Sequence, residues 1–137
     1  MKNISIFPTI FAAALILLSG CSRKVDVASF GASPLADAIK NTEAISQALK
    51  GGGKTVVISV PGTYLLDGTL LLEDNTTFKC AQGVILKKDR PYSFVLSNAG
   101  ASTRTTNRNI RIIGATIDAD DKYSNSLTVM DPQFGCR

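Results

Sequence analysis

The sequence predicts a mainly β chain: short strands stacked as the coils of a β-helix, with one amphipathic helix as a cap. Three observations predict it. Beyond Lys54 the apolar residues recur with period two, as strands require. Turn chemistry breaks the pattern every few residues. A single stretch of helical periodicity precedes all of these later strands.

The first residues read as an export signal, with a basic Lys2 followed by an apolar run through residues 10–18 that is too short to span a bilayer comfortably. The run ends in Leu18-Ser19-Gly20-Cys21, which resembles the bacterial lipobox, where small residues let a peptidase cut just before a lipidated cysteine. The resemblance implies a signal peptide over residues 1–20, lipidation of Cys21, a tether over 21–24, and a folded domain over 25–137. Each buried methylene contributes about 0.8 kcal/mol, so several acyl chains on one residue make a durable membrane anchor. The expected location is the bacterial cell envelope.

In the mature part, Val25-Asp26-Val27-Ala28-Ser29-Phe30-Gly31-Ala32 alternates apolar residues up to a turn glycine and predicts a first strand. Residues 38–50 place Ala44, Ile45, Ala48 and Leu49 on one helical face. Asp37 or Asn41 can cap the start, and Gly51-Gly52-Gly53 stops it. Strand runs then follow at 55–60, 69–72, 76–81, 84–87, 94–97, 109–113 and 127–130. They are separated by turns such as Pro61-Gly62, Asp67-Gly68, Glu73-Asp74-Asn75, Gln82-Gly83 and Asn98-Ala99-Gly100.

A two-sheet sandwich also uses short strands and frequent turns. The order of elements favours the solenoid, because a terminal coil needs a cap over its unpaired backbone and apolar face. In such a stack Val56, Ile58 and Val60, Phe78 and Cys80, and Ile110 and Ile112 point inward, while Lys79 and Arg111 face out. The chain carries no clean sequence repeat.

Composition narrows the function. The 137 residues are 45% hydrophobic and 19% charged, with a formal charge of +4. The Lys and Arg residues are interspersed with Asp and Glu, which argues against a nucleic-acid partner. Cys21, Cys80 and Cys136 are too scattered for a disulfide framework.

Val27-Ala28-Ser29-Phe30-Gly31-Ala32, then Asn41-Thr42-Glu43-Ala44-Ile45, then Val56-Val57-Ile58-Ser59-Val60-Pro61-Gly62-Thr63-Tyr64 resembles the N-terminal part of the pectate lyase superfamily and the related polygalacturonases. Asn109-Ile110-Arg111-Ile112-Ile113-Gly114-Ala115-Thr116-Ile117-Asp118 is similar to a following strand of those enzymes. The resemblance implies a right-handed, single-stranded parallel β-helix of the pectin-lyase type. It departs at Ser33-Pro34-Leu35-Ala36-Asp37, where many relatives carry a Gly- and Asp-rich turn. Relatives also continue for several hundred residues, so the chain reads as the N-terminal, truncated portion of such a domain.

The implied function is that of an N-terminal module of a cell-surface protein acting on an acidic polysaccharide such as pectin, by hydrolysis or β-elimination in full-length relatives. The alternative is a non-catalytic glycan-binding or adhesive lipoprotein. In polygalacturonase-type relatives the catalytic aspartates, a histidine and an Arg/Lys motif lie further along, and this sequence has no histidine. No catalytic, cofactor-binding or metal residue is therefore assigned, and the chain alone is expected to be inactive.

Asp118 and Asp120 would lie about 7 Å apart on one strand face. Inverting hydrolysis uses carboxyls about 6.5 to 9.5 Å apart, yet Asp118, Asp120 and Asp121 read as solvated turn residues. A lyase would need Ca²⁺ held by several oxygens, and three aspartates make an incomplete cage. Lys87, Lys88, Arg90, Arg104, Arg108 and Arg111 are candidate contacts for an acidic polysaccharide. Cys80 reads as a core residue, Cys136 sits beside the chain end, and Tyr64 reads as packing rather than a sugar platform.

Overall fold

The computed structural model describes residues 22–92 and 94–119. The predicted signal segment, Cys21, Asp120, Asp121, Cys136 and the strand expected at 127–130 lie outside the described residues.

Among the described residues nine strands and one α-helix form a mainly β structure. Strand β1 (Arg23–Asp26) leads into a 3₁₀ turn (Val27–Phe30) and helix α1 (Ala38–Leu49). Strands β2 (Lys54–Ile58), β3 (Gly62–Leu66) and β4 (Leu70–Leu72) follow, then β5 (Thr77–Cys80), β6 (Val84–Lys88) and β7 (Leu96–Asn98). A second 3₁₀ turn (Ala99–Ala101) precedes β8 (Arg111–Ile113) and β9 (Thr116–Asp118). They assemble into three sheets ordered β1-β2-β5-β8, β3-β6-β9 and β4-β7. From β2 to β6 each strand pairs with the third strand after it, and every pairing among the described residues is parallel. A sandwich of antiparallel sheets is thereby excluded.

Register converts the period-two pattern into columns. Val25, Val56, Phe78 and Ile112 stand side by side across the first sheet, and Tyr64, Leu86 and Ile117 across the second. Leu70 stands beside Leu96 in the third. Val56, Phe78, Tyr64, Leu86, Leu70 and Leu96 are all buried in one core. Parallel pairing requires that neighbours share a face, so each apolar column continues the one before it.

The corners repeat as well. Gly53, Asn75 and Asn109 hold the left-handed conformation, with φ of 63°, 56° and 55°, two positions ahead of the aligned residues Thr55, Thr77 and Arg111. Asn is one of the few side chains that tolerates this region. Here Asn109 Nδ2 donates to Asn75 Oδ1 at 2.8 Å, tying consecutive corners together. At the next corner Gly114 has φ 70°, and a Cβ there would approach Cys80 O to 2.5 Å.

Helix α1 begins at Asp37, whose carboxylate accepts the Lys40 N–H at 2.8 Å. Its buried face (Ala38, Asn41, Ala44, Ile45, Ala48 and Leu49) packs on the first 3₁₀ turn, β3 and β4. Thr42 Oγ1 accepts the Asp67 N–H at 3.0 Å. The helix thus covers the first strands of the second and third sheets, while β1 forms the first edge of the other.

Several expectations are corrected. The first strand stops at Asp26, whose side chain accepts the Ala28 N–H and starts the 3₁₀ turn. Arg23 and Lys24, expected within a tether, pair with Lys54 and Thr55 as part of β1. Asn41 is not a cap; it is buried, accepting from Ser33 N at 2.9 Å and donating to Ala36 O at 3.2 Å. The Pro-Gly-Thr-Tyr turn is mostly strand, since Gly62, Thr63 and Tyr64 belong to β3. Val60 is exposed, because β2 ends at Ile58 and the chain is already turning. Ile112 is exposed to 40%, since β8 is the edge of its sheet among the described residues. Asp118 belongs to strand β9, not to a turn.

Candidate functional site

The third sheet has two strands among the described residues, and its outer face carries a concavity. In β4 the strand pleat turns Leu70 and Leu72 inward, so Leu71 between them must face out. Ser97 of β7 stands beside Leu71 and Asn98 beside Leu72. Between β4 and β5 the chain turns in four residues, but the equivalent connection from Asn98 to Arg111 is much longer.

The extra residues form a braced loop. Thr103 N and Thr105 N both donate to Gly100 O, at 3.2 and 3.0 Å. Asn107 Oδ1 accepts the Gly100 N–H at 2.6 Å. The Asp74 carboxylate, in the turn between β4 and β5, receives Arg108 N at 2.5 Å and Asn107 Nδ2 at 3.3 Å. Gly100 is required there, because a Cβ would lie 2.2 Å from Thr105 O.

Under this loop runs a groove of about 580 Å³, lined among others by Leu71, Phe94, Ser97, Asn98, Arg104 and Thr105. Its size falls within the ~300–1,000 Å³ usual for small-molecule sites. A smaller hollow of about 350 Å³ opens on the loop's other side, between Gly52, Asp74 and Asn107. Asn98 is only 8% exposed, and its Oδ1 is buried with no hydrogen-bond partner among the described residues. A buried acceptor left unpaired costs about 1–3 kcal/mol. Arg104 holds a left-handed backbone, φ 55°, unusual for a long side chain.

The six basic candidates are not brought to one face. Lys87 lies on the second sheet, 3.4 Å from the Asp118 carboxylate. Lys88 is buried, donating to Tyr92 O at 2.6 Å, with its ammonium 4.9 Å from the Tyr92 ring centroid. Arg90 chelates Asp67, reaching its backbone oxygen and its carboxylate at 2.9 Å each. Arg104 and Arg108 belong to the loop, and Arg111 starts β8 on the first sheet.

Cys80 is buried in the core, and burial pushes its thiol up to about 11, far from a reactive thiolate. Tyr64 is buried, donating to Val60 O at 2.9 Å, so it packs and offers no sugar platform. Burial, with Asp26 and Cys80 adding to it, raises its phenol. Tyr92 is pushed up to about 12 by burial, and then by Asp67 and Asp89. Among the described residues no group of three or more His, Cys, Asp or Glu side chains converges, and no helix is long and apolar enough to cross a membrane.

Sequence reasoning missed Asn98, Leu71 and Phe94. Two signals point to them in retrospect. Three successive leucines on a period-two strand force the middle one outward, and the turn after Asn98 is far longer than its counterpart at Glu73-Asp74-Asn75.

The chain is similar to YobO of Bacillus subtilis (strain 168), a protein whose name calls it phage-related. The two are 36% identical over 134 residues, covering 87% of this chain and 16% of that protein, so this chain spans about one sixth of the relative's length. No family model and no solved structure matches.

Proposed function

We propose that the three parallel sheets are the opening coils of a right-handed parallel β-helix, held on the cell envelope through a lipid on Cys21, which binds an acidic polysaccharide such as pectin. The third-strand pairing and the corner column of Gly53, Asn75 and Asn109 support the coil reading. The observation that carries the binding reading is the groove on the third sheet, floored by the outward-facing Leu71 and by Phe94 and edged by Arg104.

Sugar rings present an apolar face edged by hydroxyls. Leu71 and Phe94 supply the floor for that face, and the hydroxyls of Ser97 and Thr105, which line the groove, offer partners to those of the ring. Arg104 supplies the cation for a uronate carboxylate, which its planar fork can take with two parallel bonds. Binding rather than turnover is assigned to these residues, since Asp118, which would need to be free as an acid or base, is engaged by Lys87. Hydrolysis or β-elimination belongs to full-length members of the family the sequence resembles.

Retention on immobilised polygalacturonate, against neutral galactan, tests the reading. The wild-type chain is retained on the acidic polymer, and Arg104→Gln weakens binding about tenfold, the value of one charge-assisted hydrogen bond. Equal binding by the Arg104→Gln chain, or preference for the neutral polymer, refutes it. Release of reducing ends or of unsaturated uronates by this chain refutes the assignment of binding alone.

A further inference from the structure

The capping end of the stack carries apolar side chains with no partner. Leu35 is 97% exposed and Ile39, one helical turn later, 59%, while Phe30 in the preceding 3₁₀ turn is also exposed. These residues sit where the chain leads into and begins α1, the element that covers the first strands of two sheets. Exposed cations share that end: Arg23 and Lys24 on β1, and Lys40 and Lys50 on and just beyond the helix. The exposed acids beside them are Asp37, whose carboxylate is engaged as the helix cap, and Glu43.

The position of the anchor supplies the occupant. Ser22 already belongs to the folded body, its hydroxyl 3.1 Å from that of Thr55, and β1 starts at the next residue. Cys21 is therefore separated from the fold by a single Cα–Cα step of about 3.8 Å. A lipid on Cys21 leaves no slack for the domain to swing away, and the end it pulls inward is the one that exposes Leu35 and Ile39.

We infer that the capping end docks directly on the bilayer, with Leu35 and Ile39 entering the headgroup boundary and Arg23, Lys24, Lys40 and Lys50 facing anionic phospholipid. Apolar insertion flanked by basic residues is how surface-lying elements hold to acidic membranes. The inference rests on the proposed anchor at Cys21. Docking also orients the β-helix axis away from the membrane, so that later coils, and the groove on the third sheet, project outward.

The chain has no tryptophan, so single-tryptophan variants report depth without background. Leu35→Trp and, as reference, Ile113→Trp on β8 are each made in the Cys136→Ser chain and bound to vesicles of phosphatidylethanolamine and phosphatidylglycerol with or without brominated acyl chains. Docking predicts that the Leu35→Trp emission shifts to the blue and is largely lost with brominated lipid, while the Ile113→Trp emission does neither. Arg23→Glu with Lys40→Glu reduces the quenching.

Mass spectrometry of the exported chain tests the anchor separately. Where Cys21 proves to be a free thiol, coupling it to a maleimide phospholipid restores the same tether, and the depth measurement proceeds. A Leu35→Trp signal that stays water-like on tethered protein overturns docking, whichever lipid holds Cys21. Both sites are exposed, so neither substitution disturbs the core.

Discussion

Replacing Asn75 by Ala tests whether consecutive corners are joined. Asn75 holds φ 56°, and its Oδ1 accepts at 2.8 Å from Nδ2 of Asn109 at the next corner. Alanine in the left-handed region costs about 1 kcal/mol that asparagine largely escapes. Losing the amide bond costs about 0.5–1 kcal/mol more, near the low end because the pair is exposed. Asn75→Ala should therefore destabilise by about 2 kcal/mol, and Asn75→Gly, which keeps the backbone but loses the bond, by about 1 kcal/mol or less. At about 4–8 °C per kcal/mol for a domain of this size, the alanine variant melts roughly 8–16 °C lower. Calorimetry of Asn75→Ala, Asn109→Ala and the double variant completes the cycle, with a coupling of about 0.5–1 kcal/mol. Additive losses, or identical effects of alanine and glycine, would refute the linked-corner reasoning.

Phe78→Ala removes the largest side chain of the column between Val56 and Ile112, and urea melts should show a loss of about 3–5 kcal/mol. Gly100→Ala drives a Cβ into Thr105 O and should abolish retention on polygalacturonate while the melt of the core shifts far less. Stability should also fall in alkali. The Cys80 thiol, ordinarily near 9.0, is raised to about 11 by burial, so the neutral thiol stabilises the fold fully below pH 9 and that contribution is lost as pH rises through 11. Tyr92, raised to about 12, extends the decline. Cys80→Ala should flatten urea midpoints between pH 9 and 11 relative to wild type, and an unchanged slope would contradict the assignment.

The strands with inward columns were legible because alternation is local: Val56, Ile58, Phe78 and Cys80 fall where period two places them. Helix α1 was legible for the same reason, with Asp37 as its cap and Gly51 past its end. Corners were not. Val60 continues the apolar alternation in sequence but lies beyond the last paired residue, and only the neighbouring strand decides where pairing stops. Strand β3 was hidden because Pro61-Gly62 reads as a turn, whereas its pairing with β6 starts at Gly62 itself.

The groove was illegible for a deeper reason. It is made by residues of β4, β7 and the long loop that follows β7, so Leu71 has meaning only beside Phe94, Ser97 and Arg104. The charge pattern misled in the opposite direction, since six basic residues that look like a patch along the chain are distributed over two sheets, the bend after β6 and the loop after β7.

Coil stacking is tested most directly by the distance between β2 and β8, two strands of one sheet with β5 between them. Thr55 and Arg111 stand in one register column through Thr77. Spin labels at Thr55→Cys and Arg111→Cys, with Cys136 replaced by serine, should lie two strand spacings apart, a backbone separation of about 10 Å, and show strong dipolar broadening. A separation beyond about 20 Å, which two strands flanking β5 in one sheet cannot give, contradicts the stack and every site built on it.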